Sequence, residues 1–220
     1  MYHSPVRSLA ETMSQVYGYQ FVIVDTSPSL GALNKAIIST VDGFFVPAFP
    51  DHFSLYGIRN IGNSLCLWQK EFNTIYQLIS EDKRKRFPER FVSFLGYCIY
   101  NAKKRNDAAN PWKIAKAHYN YAEKIPATIR QFIRPELRNH LSDALLSEPI
   151  GGGAILHSHN TFPAMAQYYH RPMWLVPGLG DKLEPEHRGT LAGARQDYEA
   201  TRGAYITFAQ ALLLRIGLLD

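Results

Sequence analysis

Short apolar runs alternate with longer amphipathic stretches along this chain. Residues 19–24, 43–49 and 91–100 are almost wholly apolar, whereas 30–40 and 53–77 repeat apolar residues every three or four positions. Apolar runs of that length predict strands buried on both faces, and the amphipathic segments predict the crossover helices that parallel strands need. Asp51 is a natural N-cap for the second helix, whose apolar face is Leu55, Ile58, Ile61 and Leu65. Leu9, Met13, Val16 and Tyr17 predict a helix feeding the first strand. Further along, helices are predicted over 112–122, 135–146 and 163–169, with a loop over 149–153 and a strand over 173–176. Glycine and proline make 175–193 irregular. Ala194, Tyr198, Tyr205, Phe208, Leu212 and Ile216 then mark one long closing helix. The expected fold class is α/β, one parallel sheet flanked by helices, in a single domain over 1–220.

Composition narrows the classes. With 46% hydrophobic and 20% charged residues in 220, disorder is excluded. Cys66 and Cys98 lie in apolar stretches without metal-type spacing, which argues against a disulfide framework or a zinc ribbon and favours a cytoplasmic setting. No signal-peptide core opens the sequence, and the longest apolar run, 211–219, is interrupted by Arg215, so no membrane span is expected.

The formal charge of +5 permits contact with nucleic acid. Two basic runs stand out, 83–86 with Arg90, and 103–105 with Lys113 and Lys116. Glu81, Asp82 and Glu89 flank the first, which reads as a solvated helix end. His157 and His159 lack the further ligands that zinc requires and read as a polar loop. Arg130, Arg134 and Arg138 have helical spacing, but Pro135 interrupts it. No G-x-S-x-G elbow occurs.

The run Phe21-Val22-Ile23-Val24-Asp25 ends an apolar segment on a carboxylate, the position where open α/β sheets gather their ligands. It continues Thr26-Ser27-Pro28-Ser29-Leu30-Gly31. This segment resembles the Walker B region of the ParA/MinD-like P-loop ATPases, with Ser27 where many members have proline. Eighteen residues after Asp25 come Gly43-Phe44-Phe45-Val46-Pro47 and then Phe53-Ser54-Leu55-Tyr56-Gly57, similar to the family's next strand and helix start. The segment 94–101, ending on Asn101, is similar to the strand whose asparagine reads the nucleotide base.

The resemblance implies a P-loop NTPase-like fold, truncated at its amino terminus, with no catalytic residue of its own. Asp25 would hold Mg²⁺ through water, Thr26 and Pro28 would shape its loop, and Asn101 would contact adenine. A complete member uses ATP and Mg²⁺, forms a homodimer, and drives plasmid or chromosome partitioning or cargo positioning, with nonspecific DNA and a cargo protein as possible partners. A P-loop needs glycines, a lysine and a Ser or Thr, and no Gly-Lys dipeptide occurs here. The family's P-loop, signature lysine and switch aspartate would lie upstream of Met1. By itself, then, this chain is expected to bind no nucleotide. Gly151-Gly152-Gly153 reads as a flexible turn. The alternative is a nucleotide-independent interaction module that kept the fold. The site reading further expects 19–24, 43–46 and 91–99 to be neighbouring parallel strands, with Asp25 and Asn101 at one edge.

Overall fold

A computed structural model describes residues 5–27, 29–85 and 87–219. Its centre is a parallel pair of strands, β1 (Gly43–Ala48) and β2 (Ser93–Ile99), joined through the helix α3 (His52–Leu78) and the short α4 (Glu81–Arg84). α3 starts where the sequence predicts, with the Asp51 carboxylate accepting from the Ser54 N–H at 2.8 Å. Ile58, Leu65 and Phe72 recur every seven residues along it and are buried. Complete burial of a side chain of this size contributes roughly 1.5–3 kcal/mol. At Gly62 a Cβ would stand 2.5 Å from the Phe132 carbonyl oxygen, so the missing side chain is what lets α6 (Ile125–Phe132) cross so closely.

β2 carries one extra residue. Phe44 pairs with Phe94, but Phe45 pairs with Gly96, leaving Leu95 as a bulge. A one-residue insertion exchanges the faces of everything beyond it. Phe94, Tyr97 and Ile99 therefore join Phe44, Val46 and Ala48 in one core with α3 and α6. Cys98 faces the other way, in a cluster with Ile150, Ile155, Phe45 and Phe208. That cluster includes the carboxyl half of the closing helix α10 (Arg195–Ile216), so helices lie on both faces of the sheet.

The bulge also serves an anchor. Gly96 has a φ of +120°, a region that L side chains rarely enter, and a Cβ there would lie 2.1 Å from Arg215 Nη1. Arg215 is 2% exposed. It donates to the carbonyls of Leu95 and Glu148, both at 3.0 Å, and burial holds its pKa below the usual value. The amino half of α10 enters a second core with Met173, Val176, Leu183 and Leu191, in which the Phe162 and Tyr198 rings stack at 3.7 Å.

Several expectations are corrected. Residues 19–24 form no strand: among the described residues the sheet has two members, and Phe21 and Ile23 are 53% and 81% exposed. An apolar run reports a strand's preference for burial but not its partner, and here β1 pairs with β2 alone. The strand expected over 173–176 is instead a 3₁₀ segment, Met173–Lys182. Met173, Val176 and Leu179 meet the second core at a spacing of three, the period of that helix.

The helix predicted over 112–122 begins only at Lys116, as α5 (Lys116–Ala122). Asn110 holds both backbone groups of Ile114 in a turn first. The helix predicted over 135–146 is broken into a 3₁₀ turn (Pro135–Leu137) and α7 (Asp143–Ser147), the latter capped by Ser142. The stretch 175–193 is less irregular than expected, because Pro185 opens α9 (Pro185–Gly193). The helices over 5–17, 32–38 and 162–168 match the hydrophobic pattern: α1 (Pro5–Tyr17), α2 (Ala32–Ile38) and α8 (Phe162–Tyr168). Among the described residues no helix is long and apolar enough to cross a membrane.

Candidate functional site

The Asp25 segment has no regular secondary structure and lies between α1 and α2. Asp25 is exposed, Thr26 is half-buried, and Pro28 lies outside the described residues. What holds this loop is Asn34, a residue that the sequence reading passed over. Its side-chain amide donates to the carbonyls of Ser27 and Ser29, both at 2.6 Å, and the two serine hydroxyls lie 3.1 Å apart. Asn34 is 4% exposed on the same face of α2 as Ile37. A lone amide on an otherwise buried helix face was the available signal, since such a group must find partners. Arg7 ties α1 to this region by donating to the Thr40 carbonyl at 2.7 Å and to Asp42 at 3.0 Å, and Lys35 of α2 pairs with Glu71 of α3.

Asn101 lies two residues past the end of β2, exposed and with a φ of +57°, at the carboxyl edge of the sheet. Two recesses, of about 510 and 270 Å³, involve none of the predicted site residues. The smaller reaches Asp42 and Ser93, at the opposite, amino end of both strands.

No Gly-Lys pair of a phosphate-binding loop occurs in the sequence, and among the described residues the glycine cluster folds into a turn. In the glycine cluster, the N–H groups of Gly152, Ala154 and Leu156 are spent on the carbonyls of Pro149, Gly151 and Gly153. Donors consumed inside a turn cannot surround an anion.

Of the other polar clusters, His157 has a structural partner, while the buried His159 Nε2 has no hydrogen-bond partner among the described residues. His157 Nε2 meets the Trp112 carbonyl at 3.0 Å, and His159 is held below the usual imidazole range by burial and by its neighbour His157. Glu184, Glu186 and His187 bring ligand-type atoms within 4.8 Å of one another. Tyr168 bonds Glu184, and Tyr169 lies 2.7 Å from His187 Nδ1. They sit at the start of α9, whose positive end opposes a cation.

Both basic runs spend some donors on the protein itself, and in the second Lys113 Nζ donates to the Ala108 carbonyl at 3.0 Å. Arg84 donates to the carbonyls of Tyr76 and Gln77, and Lys85 pairs with Asp82 at 3.1 Å, while Arg86 lies outside the described residues. The second run is displayed on a narrow hairpin, in which Arg105 N–H bonds the Lys113 carbonyl and Lys104 bridges Ile114.

Residues 3–78 match the family model of an AAA domain. The match includes α1, the Asp25 segment, α2 and β1, and it stops at Leu78, where α3 ends. Neither the curated proteins nor the solved structures returned a match to the chain. At this coarse level the AAA-domain match supports a P-loop ATPase type for the amino-terminal third of the chain.

Proposed function

We propose that this chain belongs to a ParA/MinD-like partitioning or positioning ATPase and carries the Walker B side of its nucleotide site. The observation that carries this reading is an ordered series inside the AAA-domain match. Asp25-Thr26-Ser27-Pro28-Ser29 comes first, then a strand containing Pro47, then a capped helix opening on Phe53-Ser54-Leu55. In this reading Asp25 orients Mg²⁺ through water, Thr26 and Pro28 shape its loop, Asn34 holds that loop in place, and Asn101 offers its amide to the base. When bound, MgATP would supply the phosphoryl chemistry, and it needs a phosphate-binding loop that these 220 residues do not contain.

A second reading, a nucleotide-independent interaction module, is favoured by the exposure of 19–24 outside the sheet. One calorimetric series separates the two. The 220-residue chain is expected to show negligible heat with MgATP. A fusion that adds a ParA-type P-loop unit before it is expected to bind MgATP and to lose binding on Asp25→Ala. A fusion that folds but stays silent would favour the module. Tight binding by the unfused chain, lost on Asp25→Ala, would overturn the account of an absent cradle.

A further inference from the structure

The carboxyl edge of the sheet joins exposed rings to cations that make no ion pair among the described residues. Two sets of aromatic contacts lie on it: in the first, Tyr100 meets Phe49 at 6.4 Å, and Phe49 meets His118 at 5.2 Å. One turn further along α5, Tyr121 meets His52 at 6.1 Å, and His52 meets Tyr56 at 4.6 Å. Phe53, at the start of α3, is 82% exposed, and Tyr56 and Tyr100 are 48% and 44% exposed. Such exposure wastes apolar burial in a free molecule and suits a flat ligand.

The basic hairpin borders these rings. Lys103 N–H bonds His118 Nδ1 at 3.0 Å, fastening the hairpin to α5, and Lys124 lies over the Tyr121 ring at 5.7 Å. The segment 101–124 carries six lysines and arginines against Asp107 and Glu123, so most of the chain's +5 is concentrated here. None of the six makes an ion pair among the described residues. Charge alone would suit any polyanion. Exposed rings beside it favour a polyanion whose bases are free to stack, because every base has a π-face and a duplex hides it.

We propose that this edge binds single-stranded nucleic acid, with Phe53, Tyr56 and Tyr100 stacking on unpaired bases. Lys103, Lys104 and Arg105 contact the phosphates. The proposal is independent of the nucleotide reading and needs no ATP. It also differs from nonspecific duplex binding, which uses phosphates alone.

The test is fluorescence anisotropy of the 220-residue chain with labelled oligo-dT, oligo-U and a duplex of equal length, at 50 and 200 mM salt. Single strands are expected to bind at least about tenfold tighter than the duplex, with the dT and U arms showing which sugar is preferred. Phe53→Ala and Tyr56→Ala, both at exposed positions, should each weaken single-strand binding roughly 5- to 100-fold while leaving the salt slope unchanged. Lys104→Gln with Arg105→Gln should lower that slope by about one to two. Equal or tighter duplex binding, indifference to both ring substitutions, competition by polyglutamate as effective as by oligo-dT, or no binding at 50 mM salt would each overturn the proposal. Circular dichroism on each variant ensures that a lost signal is not lost folding.

Discussion

At the scale of single residues, the bulge at Leu95–Gly96 is where one substitution does most. Gly96 has no room for a Cβ, because Arg215 Nη1 occupies that space, and its φ of +120° strains any L side chain. Gly96→Ala must therefore adopt a poor backbone conformation and also displace a buried guanidinium from the carbonyls of Leu95 and Glu148. The expected loss is about 2 kcal/mol or more, read as a lower urea midpoint. Gly203→Ala is the matching control, since a Cβ there meets nothing within 4 Å, and it should leave stability unchanged or slightly raised. Cys98 belongs to the same neighbourhood, and burial pushes its thiol up to about 12, consistent with an inert packing residue.

At the scale of elements, α3 is the crossover that makes β1 and β2 parallel neighbours, and its start depends on one cap. Asp51→Ala removes the acceptor for the Ser54 N–H and should cost about 1 kcal/mol, with Asp51→Asn recovering most of it. Thermal or urea melts of the two variants decide this. Equal losses for both would mean that the carboxylate acts through charge and not as a cap. The helix and its cap were legible in the sequence, because Asp51 precedes a long periodic apolar face. The strand expected over 19–24 was not, since apolar character is a property of the segment while pairing is a property of two segments. Likewise, Met173, Val176 and Leu179 were a plausible apolar run whose spacing of three became meaningful only once the second core was seen.

At the scale of the whole molecule, two half-buried imidazoles couple stability to pH. His140 and His159 are both held below the usual histidine range, chiefly by burial, and His159 also by His157. The unfolded chain takes up these protons near pH 6.5, whereas the folded chain does so only at lower pH. In between, the unfolded state binds more protons, so stability rises with pH. The contribution is complete above pH 6.5 and declines as pH falls below it. Urea midpoints are expected to drop from pH 7 to pH 5, and His140→Gln and His159→Gln should each reduce that drop. A midpoint that does not move between these pH values would show that the two imidazoles are solvated in the folded state.

The sequence by itself determined the parallel strand pair, the capped crossover helix, the closing helix and the order of residues that resembles a Walker B region, because each is written in local periodicity or in a contiguous motif. Asp25, Thr26, Pro28 and Asn101 were legible as a candidate set for the same reason, and Asn34 was not, since its partners depend on how the loop folds back. Only the tertiary structure decided that 19–24 stands outside the sheet, that the N–H groups of Gly152, Ala154 and Leu156 are spent within their own turn, and that the second basic run borders exposed rings. Each of these depends on which distant groups meet, and hydrogen bonds, burial and ion pairs are made between segments that a linear pattern cannot bring together.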